Sequence, residues 1–125
     1  MIVHDLDPES VAQMLQVDLA SLDSEPESPI GNFQFHDCTV GVAAFRGRPP
    51  WEFHRDGDEL LFILSGNTQL TVVEDGSRSV RTLSPGQLVV VPAGHWHSND
   101  APGGVTMLWI TPKDGNKHSW DDPDF

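Results

Sequence analysis

From residue 30 to residue 112 the chain is a succession of short apolar runs, each closed within a few residues by glycine, proline, asparagine or aspartate. That punctuation leaves no room for the crossover helices of a parallel α/β sheet, so the fold class it permits is all-β. Strands are expected at Phe33 and Phe35, Val40 to Phe45, Trp51 to His54, Glu59 to Leu64, Thr68 to Val73, Arg78 to Leu83, Leu88 to Val91 and Val105 to Ile110. With about seven to nine such strands, the chain should close into a sandwich or barrel. Gly66-Asn67 and Asp75-Gly76 read as two-residue hairpin turns, because these residues tolerate left-handed backbone. Ser84-Pro85-Gly86 places proline and glycine where a type II turn needs them.

The ends are different. Asp7-Pro8-Glu9 has a capping aspartate, proline at the first helical position and an acidic first turn, and Val11, Met14 and Leu15 follow at helical spacing. This predicts a short helix over about residues 8 to 16. Residues 1–29 then comprise that helix and an irregular connection, 30–112 the β-barrel and 113–125 an irregular polar tail, all within one domain of 125 residues.

Within this frame, Trp51 to Gly66 carries its charges in an unusual place. Glu52 and His54 are two apart, so on a strand both side chains point to one side. Glu59 heads the apolar run Leu60 to Leu64. A carboxylate opening a buried strand is costly unless a cation meets it, and a metal ion held by His54 and Glu59 is one such partner. A hydrogen-bonded polar cluster without metal is the other.

Gly86 to His97 supplies a further histidine. A turn glycine opens a buried strand, Pro92 ends its hydrogen bonding, Gly94 permits a bend, and His97 follows. Together the two stretches resemble the paired motifs of the cupin superfamily, G-x5-H-x-H-x3/4-E-x6-G and G-x5-P-x-G-x2-H-x3-N. His54, Glu59 and Gly66 match the second half of the first motif; Gly86, Pro92, Gly94 and His97 match the second. Glu52 stands where the first metal histidine of that pattern would be, Ala101 replaces the terminal asparagine, and Gly47 lies one residue from the initial glycine position.

The resemblance implies a jelly-roll barrel, the double-stranded β-helix, holding one divalent metal ion through His54, Glu59 and His97. Two histidines and a carboxylate suit iron, manganese, zinc or nickel. Glu52 is either a fourth ligand or a catalytic general base beside the metal. The implied function is a metal-dependent enzyme of dioxygenase, isomerase or decarboxylase type acting on a small polar molecule. The alternatives are a non-catalytic cupin that binds or senses a small ligand or metal, and a metal-free sugar-modifying cupin in which His and Glu act directly.

The other polar candidates have plainer readings. Asp58 is a loop carboxylate and reserve ligand, His95 a pocket-rim residue, and His4, His36 and His118 are solvated. Arg46 and Arg48 precede the site and could receive a substrate carboxylate. Cys38 is the single cysteine, so no intrachain disulfide or thiolate cluster can form.

A net charge of −12 with no basic stripe speaks against nucleic acid or an anionic membrane as partner. No apolar run reaches the roughly 18 to 20 residues of a membrane span. The start MIVHDLDPES has no signal-peptide character, so cytoplasm is the expected compartment. Both parities of Leu60 to Leu64 are apolar, which predicts cover on two faces by the N-terminal segment or a second subunit, and a homodimer through sheet edges.

Overall fold

The computed structural model describes residues 1–6 and 32–123. The helix expected over residues 8 to 16 lies outside the described residues. Within them the chain is all-β and forms a curled half-barrel of nine strands. These are β1 (Phe33–Phe35), β2 (Cys38–Gly47), β3 (Trp51–His54), β4 (Glu59–Gly66), β5 (Thr68–Glu74), β6 (Ser77–Leu83), β7 (Leu88–Val91), β8 (His97–Pro112) and β9 (Asn116–Ser119).

The longest strand, β8, belongs to two antiparallel layers. Its C-terminal half, Val105 to Pro112, lies between β2 and β4, giving the order β1-β2-β8-β4-β7. Its N-terminal half, His97 to Asp100, lies between β5 and β3, giving β6-β5-β8-β3-β9. Between them, around Pro102 to Gly104, the strand bends from one layer into the other. Phe45, Leu61, Ile63, Leu70, Leu83, Val91, Ala101, Val105 and Met107 fill the space between the layers as one core. On β4 the inward parity is Glu59, Leu61 and Ile63, so the same pleat that buries the core carries a carboxylate in at its first position.

Two turn expectations hold. Asp75 (φ 48°) and Gly76 (φ 78°) both adopt left-handed backbone between the paired Glu74 and Ser77, the geometry of a type I′ hairpin. At Ser84 to Gln87, the Gln87 N–H donates to the Ser84 carbonyl at 3.1 Å with Gly86 at φ 86°, closing the type II turn.

Gly66-Asn67 is a correction. The strands it joins, β4 and β5, do not pair with each other; each pairs with a different half of β8. The segment is a corner where the chain changes layer beside the bend of β8, and Asn67 N–H reaches the Gly104 carbonyl at 3.3 Å. Gly66 has φ 74°, and a Cβ there would overlap the Gly104 carbonyl oxygen. Hairpin and corner both need left-handed glycine, so the local signal is the same and only the long-range pairing separates them.

The tail is the second correction. Instead of running irregularly, it turns at Gly115 (φ 76°) and returns as β9 along β3, pairing Trp51 with Ser119 and His54 with Asn116. Arg78, stacked 5.2 Å above the Trp51 ring, binds Asp122 and fastens the end of this return.

Gly66→Ala should cost about 2 to 3 kcal/mol of unfolding free energy, because it adds left-handed strain to a backbone overlap. Gly76→Ala, with open space around its Cβ, should cost about 1 to 2 kcal/mol. Urea unfolding of the two variants checks this, and equal losses would contradict the corner assignment.

Candidate metal centre

Four side chains from three strands converge at one end of the core: Glu52 and His54 from β3, Glu59 from β4 and His97 from β8. One donor atom of each lies within 4.8 Å of the others. His54, Glu59 and His97 are buried, while the Glu52 side chain is 28% exposed and forms the outer wall.

Each position follows from local structure. The two-residue alternation of β3 aims Glu52 and His54 the same way. The loop before His97 is held by two hydrogen bonds: Ala93 N–H donates to Asp58 Oδ1 at 2.9 Å, and Gly94 N–H to the His54 carbonyl at 2.8 Å. Gly94, at φ 75°, makes the bend that starts β8 at His97. Asp58 therefore holds this loop and stands outside the donor set. His95 Nδ1 lies 2.8 Å from the Ala93 carbonyl, also outside it.

Glu59 is held on both oxygens. Thr111 Oγ1 donates to Oε2 at 2.5 Å, and Oε1 lies 3.0 Å from His97 Nε2. His54 Nε2 is 3.2 Å from Glu59 Oε2 and 3.4 Å from Glu52 Oε2, and His97 Nε2 is 3.5 Å from that same Glu52 oxygen. Donors about 2.0 to 2.2 Å from one metal ion stand roughly 3.0 Å apart at right angles and roughly 3.4 Å apart in a tetrahedral array. The observed spacings are of that size.

The hydrogen-bond pattern fits a cation as well. Asn116 Nδ2 donates to the Pro112 carbonyl at 2.7 Å, which turns its Oδ1 toward His54 Nδ1 at 2.8 Å. A carbonyl oxygen only accepts, so His54 carries a proton on Nδ1, and in its neutral form presents the Nε2 lone pair to the cluster. That Nε2 is buried without a hydrogen-bond partner. Facing two carboxylates, this nitrogen is satisfied by a proton of its own or, as a lone pair, by a metal cation. The donor set thus fits one divalent metal ion.

Burial alone would lower the histidine pKa values, but the carboxylates of Glu52 and Glu59 outweigh it and raise His54 to about 10 and His97 to about 9. Burial pushes the carboxyls up; His118, His54 and His97 nonetheless hold Glu52 well below its ordinary value, and His54 and His97 hold Glu59 below its own.

All four residues picked out in the sequence therefore meet. Thr111, Asn116 and His118, whose Nε2 lies 3.6 Å from Glu52 Oε1, had no motif to reveal them. His118, expected to be solvated, is half exposed but reaches the cluster because the tail returns as a strand. The Gly115 turn and the two-residue spacing of Asn116 and His118 were the available signal. Arg48 pairs with Asp100 at 3.4 Å and is engaged there.

Residues 42–111 match the family model of the cupin domain. No curated protein matches the chain in sequence. Among solved structures, a cupin-2 domain containing protein from Shewanella frigidimarina is 19% identical, with a TM-score of 0.63 over 86% of this chain and 94% of that one. A Neisseria meningitidis protein is 21% identical, with a TM-score of 0.59 over 76% and 92% of the two chains. Bacillus subtilis oxalate decarboxylase, described as having Mn(II) centres, is 16% identical, with a TM-score of 0.58 over 66% of this chain and 24% of its own. At these identities the likeness is one of fold.

Without metal, the two histidines hold protons more tightly folded than unfolded. Their contribution is full below their ordinary value of 6.5 and is lost as pH rises through about 9 and 10. The carboxylates contribute fully above 4.5 and lose that contribution as pH falls through their lowered values. Urea unfolding of metal-free protein should lose on the order of a few kcal/mol between about pH 6.5 and pH 10, and His97→Gln should flatten that limb. Stability that is flat over this range would contradict the cluster.

Proposed function

The chain belongs to the cupin domain family, and from that premise we propose that it is a metal-dependent enzyme acting on a small polar molecule. His54, Glu59 and His97 would hold one divalent ion, with Glu52 as the fourth and outermost ligand. The observation that carries this reading is the convergence of four donor atoms within 4.8 Å of one another, with Asn116 turning His54 so that Nε2 faces both carboxylates. Two imidazoles and two carboxylates are a hard donor set, which favours manganese or iron over copper and admits zinc and nickel. Such an ion supplies Lewis acidity or, if it is iron or manganese, redox chemistry.

The protein's own residues shape the rest. Three of the four donors are sealed against the core, so a substrate approaches from the side of Glu52. There Glu52, where it does not bind the ion, is a carboxylate kept ionised at neutral pH by its histidine neighbours and placed to take up a substrate proton. This supports a dioxygenase, isomerase or decarboxylase type of reaction in a jelly-roll barrel. The Mn(II) centres named for oxalate decarboxylase add support for the metal and none for a particular substrate.

One observation favours a second reading, a non-catalytic ligand-binding cupin. The two histidines and two carboxylates balance each other's charge, so the cluster is self-consistent without a metal. The sheet edge at β7, where Leu88 and Val90 are exposed, supports a homodimer, and the net charge of −12 speaks against nucleic acid as a partner.

Protein purified without added metal should contain about one equivalent of a divalent first-row metal, and His97→Ala should lose most of it. Substoichiometric metal that is unchanged in the variant would contradict the metal reading. Iron-loaded protein screened for O2 uptake over catechols, diketones and thiols, and manganese-loaded protein screened for CO2 release from small carboxylic acids, test catalysis. Binding without turnover in any of these would favour the second reading.

A further inference from the structure

Across the layer formed by β8, β3 and β9, three residues stand in one row: His97 is paired with Glu52, and Glu52 with His118. Residues directly opposite on neighbouring strands share a face, so the two imidazoles flank the carboxylate from either side. The carboxylate is divided between them. Oε2 faces inward, 3.4 Å from His54 Nε2 and 3.5 Å from His97 Nε2, and Oε1 faces outward, 3.6 Å from His118 Nε2. Glu59 needs no such help, because Thr111 and His97 hold it on both oxygens inside the core. Glu52 is partly exposed and has a long, flexible side chain, so its direction must be set from outside.

We propose that His118 is a positioning residue of the metal centre: it holds the outer oxygen of Glu52 and thereby keeps the inner oxygen pointed at the metal as a single-oxygen ligand. The proposal rests on the metal reading above and adds a residue that lies beyond the span matched by the family model. β3 carries a carboxylate where a histidine ligand was expected, and the imidazole sits one strand further out, on β9. Here it does not ligate; it fixes the orientation of the residue that does. The return of the tail is therefore part of the site, with Asn116 setting His54 and His118 setting Glu52 from one short strand.

The test is a Mn(II) titration of the full chain, with free Mn(II) read by its EPR signal, across wild type, His118→Ala, His118→Gln, Glu52→Ala and the double variant Glu52→Ala/His118→Ala. His118→Ala should weaken binding about 10-fold or more, and His118→Gln, which retains an N–H donor, should restore most of it. In the Glu52→Ala background, removing His118 should change nothing further, since its effect passes through Glu52. If the alanine variant does not fold, His118→Phe, which puts a nitrogen-free aromatic ring in its place, is used instead with the same expected loss.

Affinity of His118→Ala within about twofold of wild type would overturn the proposal and leave the metal reading standing. So would an equal loss in the Glu52→Ala background. Wild type that takes up no Mn(II) while also failing to bind Fe(II), Zn(II) and Ni(II) would overturn both.

Discussion

A carboxylate at the head of a buried strand is the constraint on which this structure depends. Glu59 enters the core on the same pleat as Leu61 and Ile63, and its ionised form is tolerable there only because cationic and hydrogen-bonding groups surround it. Thr111, His97 and His54 meet it from two other strands. Glu52, brought close by the alternation of β3, adds a second negative charge that both histidines then share. The result is a compact set of two imidazoles and two carboxylates, each dependent on the others for its ionisation.

Strand β8 makes this convergence possible. Because it bends between Ala101 and Val105, it runs along one layer and returns along the other, so His97 near one end and Thr111 near the other both reach Glu59. The corner at Gly66 is the matching bend between the neighbouring strands β4 and β5, held against the Gly104 carbonyl. Core packing between the layers keeps the two halves of β8 at a fixed separation, which in turn sets the distance between donors. The fold thereby transmits a packing requirement at Phe45, Leu70 and Val105 into a chemical spacing at the site.

The inner part of this centre was legible in the sequence and the outer part was not. Gly-rich turns and two-residue alternation are local signals, and they located β1 to β7, the Val105 to Ile110 part of β8, the Asp75-Gly76 hairpin and the Ser84 to Gln87 turn, while the paired cupin-like motifs picked out the converging residues. Gly66-Asn67 misled because a hairpin and a corner ask the same backbone of glycine. Thr111, Asn116 and His118 were invisible for a different reason. Each acts through a partner far away in sequence: Thr111 is an ordinary threonine near the end of β8, and the alternation of Asn116 and His118 after Gly115 is too short a run to announce a strand. The polar tail looked irregular because β9 is only four residues long and mostly exposed.

The most direct test of the account is pulsed EPR of Mn(II)-loaded protein labelled with 15N-histidine, which counts the imidazole nitrogens bound to the metal. About two coupled imidazole nitrogens, falling to one in His97→Ala, is the result predicted by a centre made from His54, His97, Glu59 and Glu52. Mn(II) bound with no coupled histidine nitrogen, or with coupling that is unchanged in His97→Ala, would contradict it.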